Sequence, residues 1–247
     1  MLPRPGDKES LLPFWTTFFE PACPNSQFPS IPYLLVDDSC IGSPCLAVWS
    51  QAHQKGTYVP FAGRYTLHIQ GPQFCQEDVP SATGIQQRAT IPADARSLSF
   101  LANISGMIQI KINGQTVRAV PQETFARYTR YAVDVSAHAG LEVDLSFSAV
   151  PTPQWPSFVG RLPNQTMFEL DDLRFGPEPV QFSDGPGTMT LYPGTAANSW
   201  IVDFTGVLEY SGSPGGPWIP AEGLLSPLEL VPRSGPEVLF LRARAWP

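Results

Sequence analysis

Apolar and polar side chains alternate with period two along most of this chain, and helical periodicity is almost absent. That pattern predicts short strands joined by turns. Residues 107–112 set Ile108, Ile110 and Ile112 against Met107, Gln109 and Lys111. Asn113-Gly114 follows at once, and residues 115–120 resume an extended pattern. An Asn-Gly pair between two alternating runs predicts a two-residue hairpin, because both central positions need positive φ. Residues 97–102 put Leu98 and Phe100 on one face. Residues 131–135 and 141–147 read as a further strand pair around 136–140, with Leu141, Val143, Leu145 and Phe147 sharing a face. Residues 167–175 read as one more strand, and 151–163 as a loop. Pro177, Pro179, Asp184, Gly185 and Pro186 mark 176–187 as a linker. Beyond it, strands are predicted at 189–192, 200–204, 206–210, 218–219, 228–231 and 238–242, with a tight turn at 211–216. Regularly spaced short strands with turns between them predict an all-β, antiparallel β-sandwich followed by a second, smaller one.

Composition sharpens this picture. The chain has 247 residues, of which 43% are hydrophobic, enough to build a core and to exclude wholesale disorder. Its 28 prolines and 20 glycines suit many short, punctuated elements. Fifteen basic against 22 acidic residues give a net charge of −7, which argues against a nucleic-acid partner, since that needs a basic footprint. No apolar run approaches the roughly 18 residues of a membrane helix, so membrane insertion is not expected.

Cys23, Cys40, Cys45 and Cys75 all fall in the first third of the chain. Their spacing lacks the paired short motifs of a zinc ribbon. Two disulfides in one of three connectivities, or four reduced and partly buried thiols, are the two readings; the even count and loop setting favour disulfides. The first dozen residues carry Arg4 and Lys8 but no apolar core of a signal peptide. On the cysteines, an extracellular or cell-surface location is expected. Asn103-Ile104-Ser105 and Asn164-Gln165-Thr166 are glycosylation triplets of a kind common by chance.

Several segments together resemble jelly-roll domains of the galactose-binding-like family, which includes carbohydrate-binding modules. They are Phe18-Phe19-Glu20-Pro21, Phe61-Ala62-Gly63-Arg64-Tyr65-Thr66-Leu67, the run Ile91-Pro92-Ala93-Asp94-Ala95-Arg96-Ser97-Leu98-Ser99-Phe100, Ile112-Asn113-Gly114, Tyr131-Ala132-Val133-Asp134-Val135-Ser136, and Phe168-Glu169-Leu170-Asp171-Asp172-Leu173. The resemblance covers residues 14–176. Residues 182–247 resemble a short fibronectin type III-like module of secreted bacterial proteins through Gly206-Val207-Leu208-Glu209-Tyr210-Ser211, Gly216-Pro217-Trp218, Ser226-Pro227 and Phe240-Leu241-Arg242. The first resemblance implies one structural calcium ion between the opening and closing strands, held by Glu20 and Asp171, with Asp172 on the opposite face of a regular strand.

Other candidate chemistry has blander alternatives. Glu169-Leu170-Asp171 and Glu142-Val143-Asp144 each put two acids on one strand face, but neither is followed by the further Glu of jelly-roll glycanases. His53, His68 and His138 are far apart, and no Gly-x-Ser-x-Gly elbow accompanies them. No phosphate-cradling glycine loop precedes a helix. Sugar rings stack on aromatic faces, which makes Trp49 and Tyr58, in the long N-terminal loop region, and Trp155, in the loop before the closing strand, candidates for carbohydrate binding; core or loop packing is the alternative for each. Trp200 and Trp218 are expected in the core of the smaller unit. The expected function is non-catalytic binding of a polysaccharide or cell-surface glycan by an exported accessory protein. A structural or adhesive module without sugar affinity is the first alternative, and a glycan hydrolase or lyase the second.

Overall fold

The computed structural model describes residues 12, 14–19, 34–36, 45–50, 60–71, 82–150, 166–182, 187–194, 199–221, 226, 228–230 and 240–245. It is almost entirely β. The larger sandwich is built from β1 (Thr16–Phe19), β2 (Leu34–Val36), β3 (Cys45–Ser50), β4 (Tyr65–Gln70), β5 (Thr83–Thr90), β6 (Ser97–Ser105), β7 (Met107–Ile112), β8 (Gln115–Val117), β9 (Ala119–Thr124), β10 (Thr129–Asp134), β11 (Glu142–Val150) and β12 (Met167–Gly176). A five-stranded sheet of order β1-β5-β11-β7-β8 faces a seven-stranded sheet of order β2-β3-β4-β12-β6-β10-β9. Among the described residues, all strand pairings are antiparallel except that of β2 with β3. Then β13 (Met189–Pro193), β14 (Trp200–Phe204), β15 (Val207–Ser211), β16 (Ile219–Pro220), β17 (Leu228–Leu230) and β18 (Phe240–Arg244) form two three-stranded sheets, β13-β14-β17 and β16-β15-β18. Among the described residues, no helix is long and apolar enough to cross a membrane.

The alternation read from the sequence is what fills the space between the two large sheets. Ile108, Ile110 and Ile112 of β7 and Val143, Leu145, Phe147 and Ala149 of β11 point inward, opposite Phe100, Val133 and Phe168. Phe100 packs edge-on to Phe147 at 5.4 Å and stacks on Tyr131 at 5.6 Å. Each fully buried ring of this kind contributes about 1.5–3 kcal/mol through removal of apolar area from water. The β7–β8 hairpin turns on Asn113 (φ 50°) and Gly114 (φ 77°), the two left-handed positions that the Asn-Gly pair predicts.

Three expectations are corrected. Residues 131–135 and 141–147 are strands but not partners: β10 pairs with β6 and β9, whereas β11 pairs with β5 and β7. Between them a short 3-10 turn over Ser136–His138 carries the chain from one sheet to the other. Asp134 Oδ1 accepts from the Ser136 amide (2.9 Å) and hydroxyl (2.6 Å), which stops β10 there. Leu141 then lies ahead of β11 and is 53% exposed. Secondly, β12 is not regular. Its register with β6 shifts between Asp171 and Arg174, and Asp172 adopts φ 53°. The bulge turns Leu173 onto the core, while Asp172 pairs with Arg174 at 2.6 Å. Thirdly, Trp49 is not in a loop but in β3.

Candidate functional site

The outer face of the seven-stranded sheet gathers the polar chemistry. Register places Ala47, His68, Glu169 and Asn103 side by side on β3, β4, β12 and β6. These positions alternate with the core-facing Leu46, Ile69, Phe168 and Ile104, so the same periodicity that builds the core delivers this row to the other side. His68 is buried and its ring stacks on Trp49 with centroids 4.3 Å apart. Burial holds its pKa down at about 4, against the opposing pull of a hydrogen bond with Gln70, so it is neutral at pH 7. Glu169 is half-buried. Its pKa is raised by burial, which outweighs a hydrogen bond with Asn103 and the attraction of Arg127.

Asp171, two residues further on the same strand, has a different role. Its Oδ2 accepts from the Phe61 amide (3.0 Å), the Ala62 amide (2.9 Å) and the Thr66 hydroxyl (2.8 Å), and its Oδ1 from the Asp172 amide (2.8 Å). One carboxylate thereby clasps the turn leading into β4 against β12. The clasp fixes Phe61. Tyr128 packs on Phe61 and on Phe125, with ring centroids 4.8 Å away in both cases, and the Arg127 guanidinium lies 5.9 Å from the Phe61 centroid. Phe125, Arg127 and Tyr128 belong to the tight connection between β9 and β10, closed by the Phe125 amide donating to the Tyr128 carbonyl at 2.8 Å. Beside them is a cavity of about 250 Å³, whose walls include Asn103, Phe125, Arg127, Tyr128, Tyr131 and Ile201.

Trp49 is 3% exposed, with one ring face against the His68 imidazole. It is a packed residue of the sheet and presents no ring to a ligand in this conformation. Tyr58 and Trp155 lie outside the described residues, as do Glu20, Cys23, Cys40, Cys75 and His53. Cys45 is fully buried and disulfide-bonded. Among the described residues, no group of three or more His, Cys, Asp or Glu is gathered to hold a metal ion. Four N–H and O–H donors aim at the oxygens of Asp171, and Glu20, the other residue of the implied calcium site, lies outside the described residues. Glu169 and Asp171 are not arranged as a pair of free carboxylates, because Asp171 has both oxygens committed to structural bonds and Glu169 is hydrogen-bonded to Asn103. Residues 103, 125, 127 and 128 were not singled out for this role from the sequence. The one local signal is an Arg between two aromatics at a turn joining two strands.

Comparison with known proteins adds little. No family model matches the chain, and no curated protein matches it. A solved β-D-glucuronidase structure from Dictyoglomus thermophilum is similar over 63% of this chain, at 11% identity and a TM-score of 0.22. The match spans about a third of that enzyme's length (33%). A likeness this faint carries no argument about activity.

Proposed function

We propose that the chain is a non-catalytic glycan-binding protein of the exported, cell-surface kind, with its site on the outer face of the larger sandwich around Phe125, Arg127, Glu169 and Asn103. The observation that carries this reading is a cavity lined by partly exposed rings, a guanidinium and the Asn103 amide, with the Glu169 carboxylate hydrogen-bonded to Asn103 and attracted by Arg127. Sugars need that mixture: rings to cover their apolar faces, and donors and acceptors in fixed directions for their hydroxyls. Arg127 and Asn103 supply donors, and Glu169 supplies acceptors. The partial compensation of Arg127 by Glu169 suits a hydroxyl-rich ligand better than a strongly charged one. Small contact area limits affinity.

Calorimetric titration with soluble oligosaccharides tests the reading. A binding glycan is expected, and Phe125→Ala should weaken it about tenfold, the loss of about 1.4 kcal/mol of ring contact. Absence of heat with every glycan would leave a structural or adhesive module. Release of reducing ends that disappears in Glu169→Gln would replace binding by hydrolysis. The pairing of all four cysteines belongs to the same proposal, and thiol titration of the denatured protein should find no free thiol.

A further inference from the structure

The cavity is not a property of the larger sandwich alone. Ile201, on β14 of the smaller one, forms part of its wall together with Asn103, Phe125, Arg127 and Tyr128. The placement of Ile201 is fixed by a buried hydrogen-bonded seam. Tyr131 Oη, from another wall of the cavity, donates to the Ser226 carbonyl at 3.1 Å. Ser226 Oγ donates to Asp203 Oδ1 at 2.6 Å and accepts from the Phe204 amide at 2.7 Å. Asp203 and Ile201 lie two residues apart on β14 and so project to the same side of it. The seam therefore ties the strand that carries Ile201 to the strand that carries Tyr131.

From this geometry, and resting on the glycan-binding reading above, we infer that the two sandwiches together make the binding site, with Ile201 as a wall that admits the terminal sugar of a glycan and blocks passage of a chain through it. The size of the cavity agrees: about 250 Å³ is below the roughly 300–1,000 Å³ usual for pockets that enclose a drug-sized ligand. An internal sugar needs an exit at both of its linkages. Here the apolar Ile201 forms part of the wall on the side of the smaller sandwich, and Tyr131, also on the wall, is a core residue whose hydroxyl is already used by Ser226.

The experiment uses the full chain and neutral β-linked hexasaccharides of glucose, xylose, mannose and N-acetylglucosamine, with the matching long polymers for whichever binds. Sedimentation or light scattering counts protein molecules per polymer chain. The expected count is one per chain end, independent of polymer length. Ile201→Trp, which fills the cavity, should weaken hexasaccharide binding at least tenfold at an unchanged melting temperature. Ile201→Ala, which opens the wall, should raise the number bound per polymer. A wild-type count that grows with polymer length, or Ile201→Trp binding as wild type does while Phe125→Ala fails to bind, would overturn the terminal-sugar inference and leave the glycan-binding reading standing. Absence of wild-type binding to every probe overturns both.

Discussion

At the scale of single residues, His68 couples the site to acidity. Trp49 on β3, Gln70 on its own strand and Glu169 on β12 surround it. In the folded protein its pKa lies at about 4, against 6.5 in the unfolded chain. Between those values the unfolded state binds the proton and the folded state does not. Stability therefore rises with pH across that window and is lost as pH falls from 6.5 towards 4, by up to about 3 kcal/mol. Glu169 acts oppositely, since its raised pKa favours the protonated folded form at the acid end. The difference between wild type and His68→Gln isolates the histidine: denaturant unfolding at pH 7 and pH 4.5 should show a smaller acid loss for the variant. Equal losses would place His68 in water rather than against Trp49. None of this was legible beforehand. A histidine among three that lie far apart in the sequence says nothing of which ring will cover it until register sets Ala47 and Glu169 at its flanks.

At the scale of elements, the clasp from Asp171 to the turn before β4 joins the closing strand to another part of the sheet. Asp171→Ala removes the acceptor of three amides and a hydroxyl, although the Phe61 amide keeps a 3.2 Å bond to Thr66. The cost should be about 2–3 kcal/mol, a fall of roughly 5–10 °C in melting temperature for a protein of this size. Because Phe61 is seated by the clasp, glycan affinity should fall with it. A chelator should leave the wild-type melting curve unchanged. A chelator-induced drop, reversed by Ca²⁺, would return Asp171 and Glu20 to a metal site. The strands were legible because period two survives in them: β7 and β14 begin and end where the alternation says. What was not legible was which strands neighbour one another and where the period breaks. Residues 136–140 look like a hairpin turn, yet Asp134 caps β10 and sends the chain across the sandwich. The Asp171-Asp172 pair looks like an alternating dipeptide, yet Asp172 at positive φ shifts the face of everything after it. The site inherits that difficulty, since its members come from β4, β6, β12 and the β9–β10 turn and only pairing brings them together.

For the whole molecule, the sequence suggests two units with a linker between 176 and 187, and the strands do divide there, but the buried surfaces do not. Met107 starts β7 with its side chain on the face away from Ile108, Ile110 and Ile112. Together with its cross-strand partner Val150 it joins the apolar cluster of Val202, Phe204, Leu208 and Leu228. Val180, in the expected linker, is buried against Val120 and Ala132. Thr166 reinforces the edge of the joint, accepting from the Met107 amide (2.9 Å) and donating to the Val150 carbonyl (2.6 Å), and Gly106 beside it (φ 106°) has no room for a Cβ, which would stand 2.6 Å from Thr166 Oγ1. A spacer module would unfold by itself; one whose core is completed by residues of its neighbour, and whose Ser226 is held by the neighbour's Tyr131, cannot lose its fold without exposing that seam. Scanning calorimetry should accordingly show one transition. Tyr131→Phe, which leaves the ring in the core and removes only the bond to Ser226, should lower that single transition by about 1 kcal/mol and leave it single. Two separate transitions in wild type would mean that the seam is too weak to hold Ile201 over the cavity, and the composite site would lose its physical basis with it.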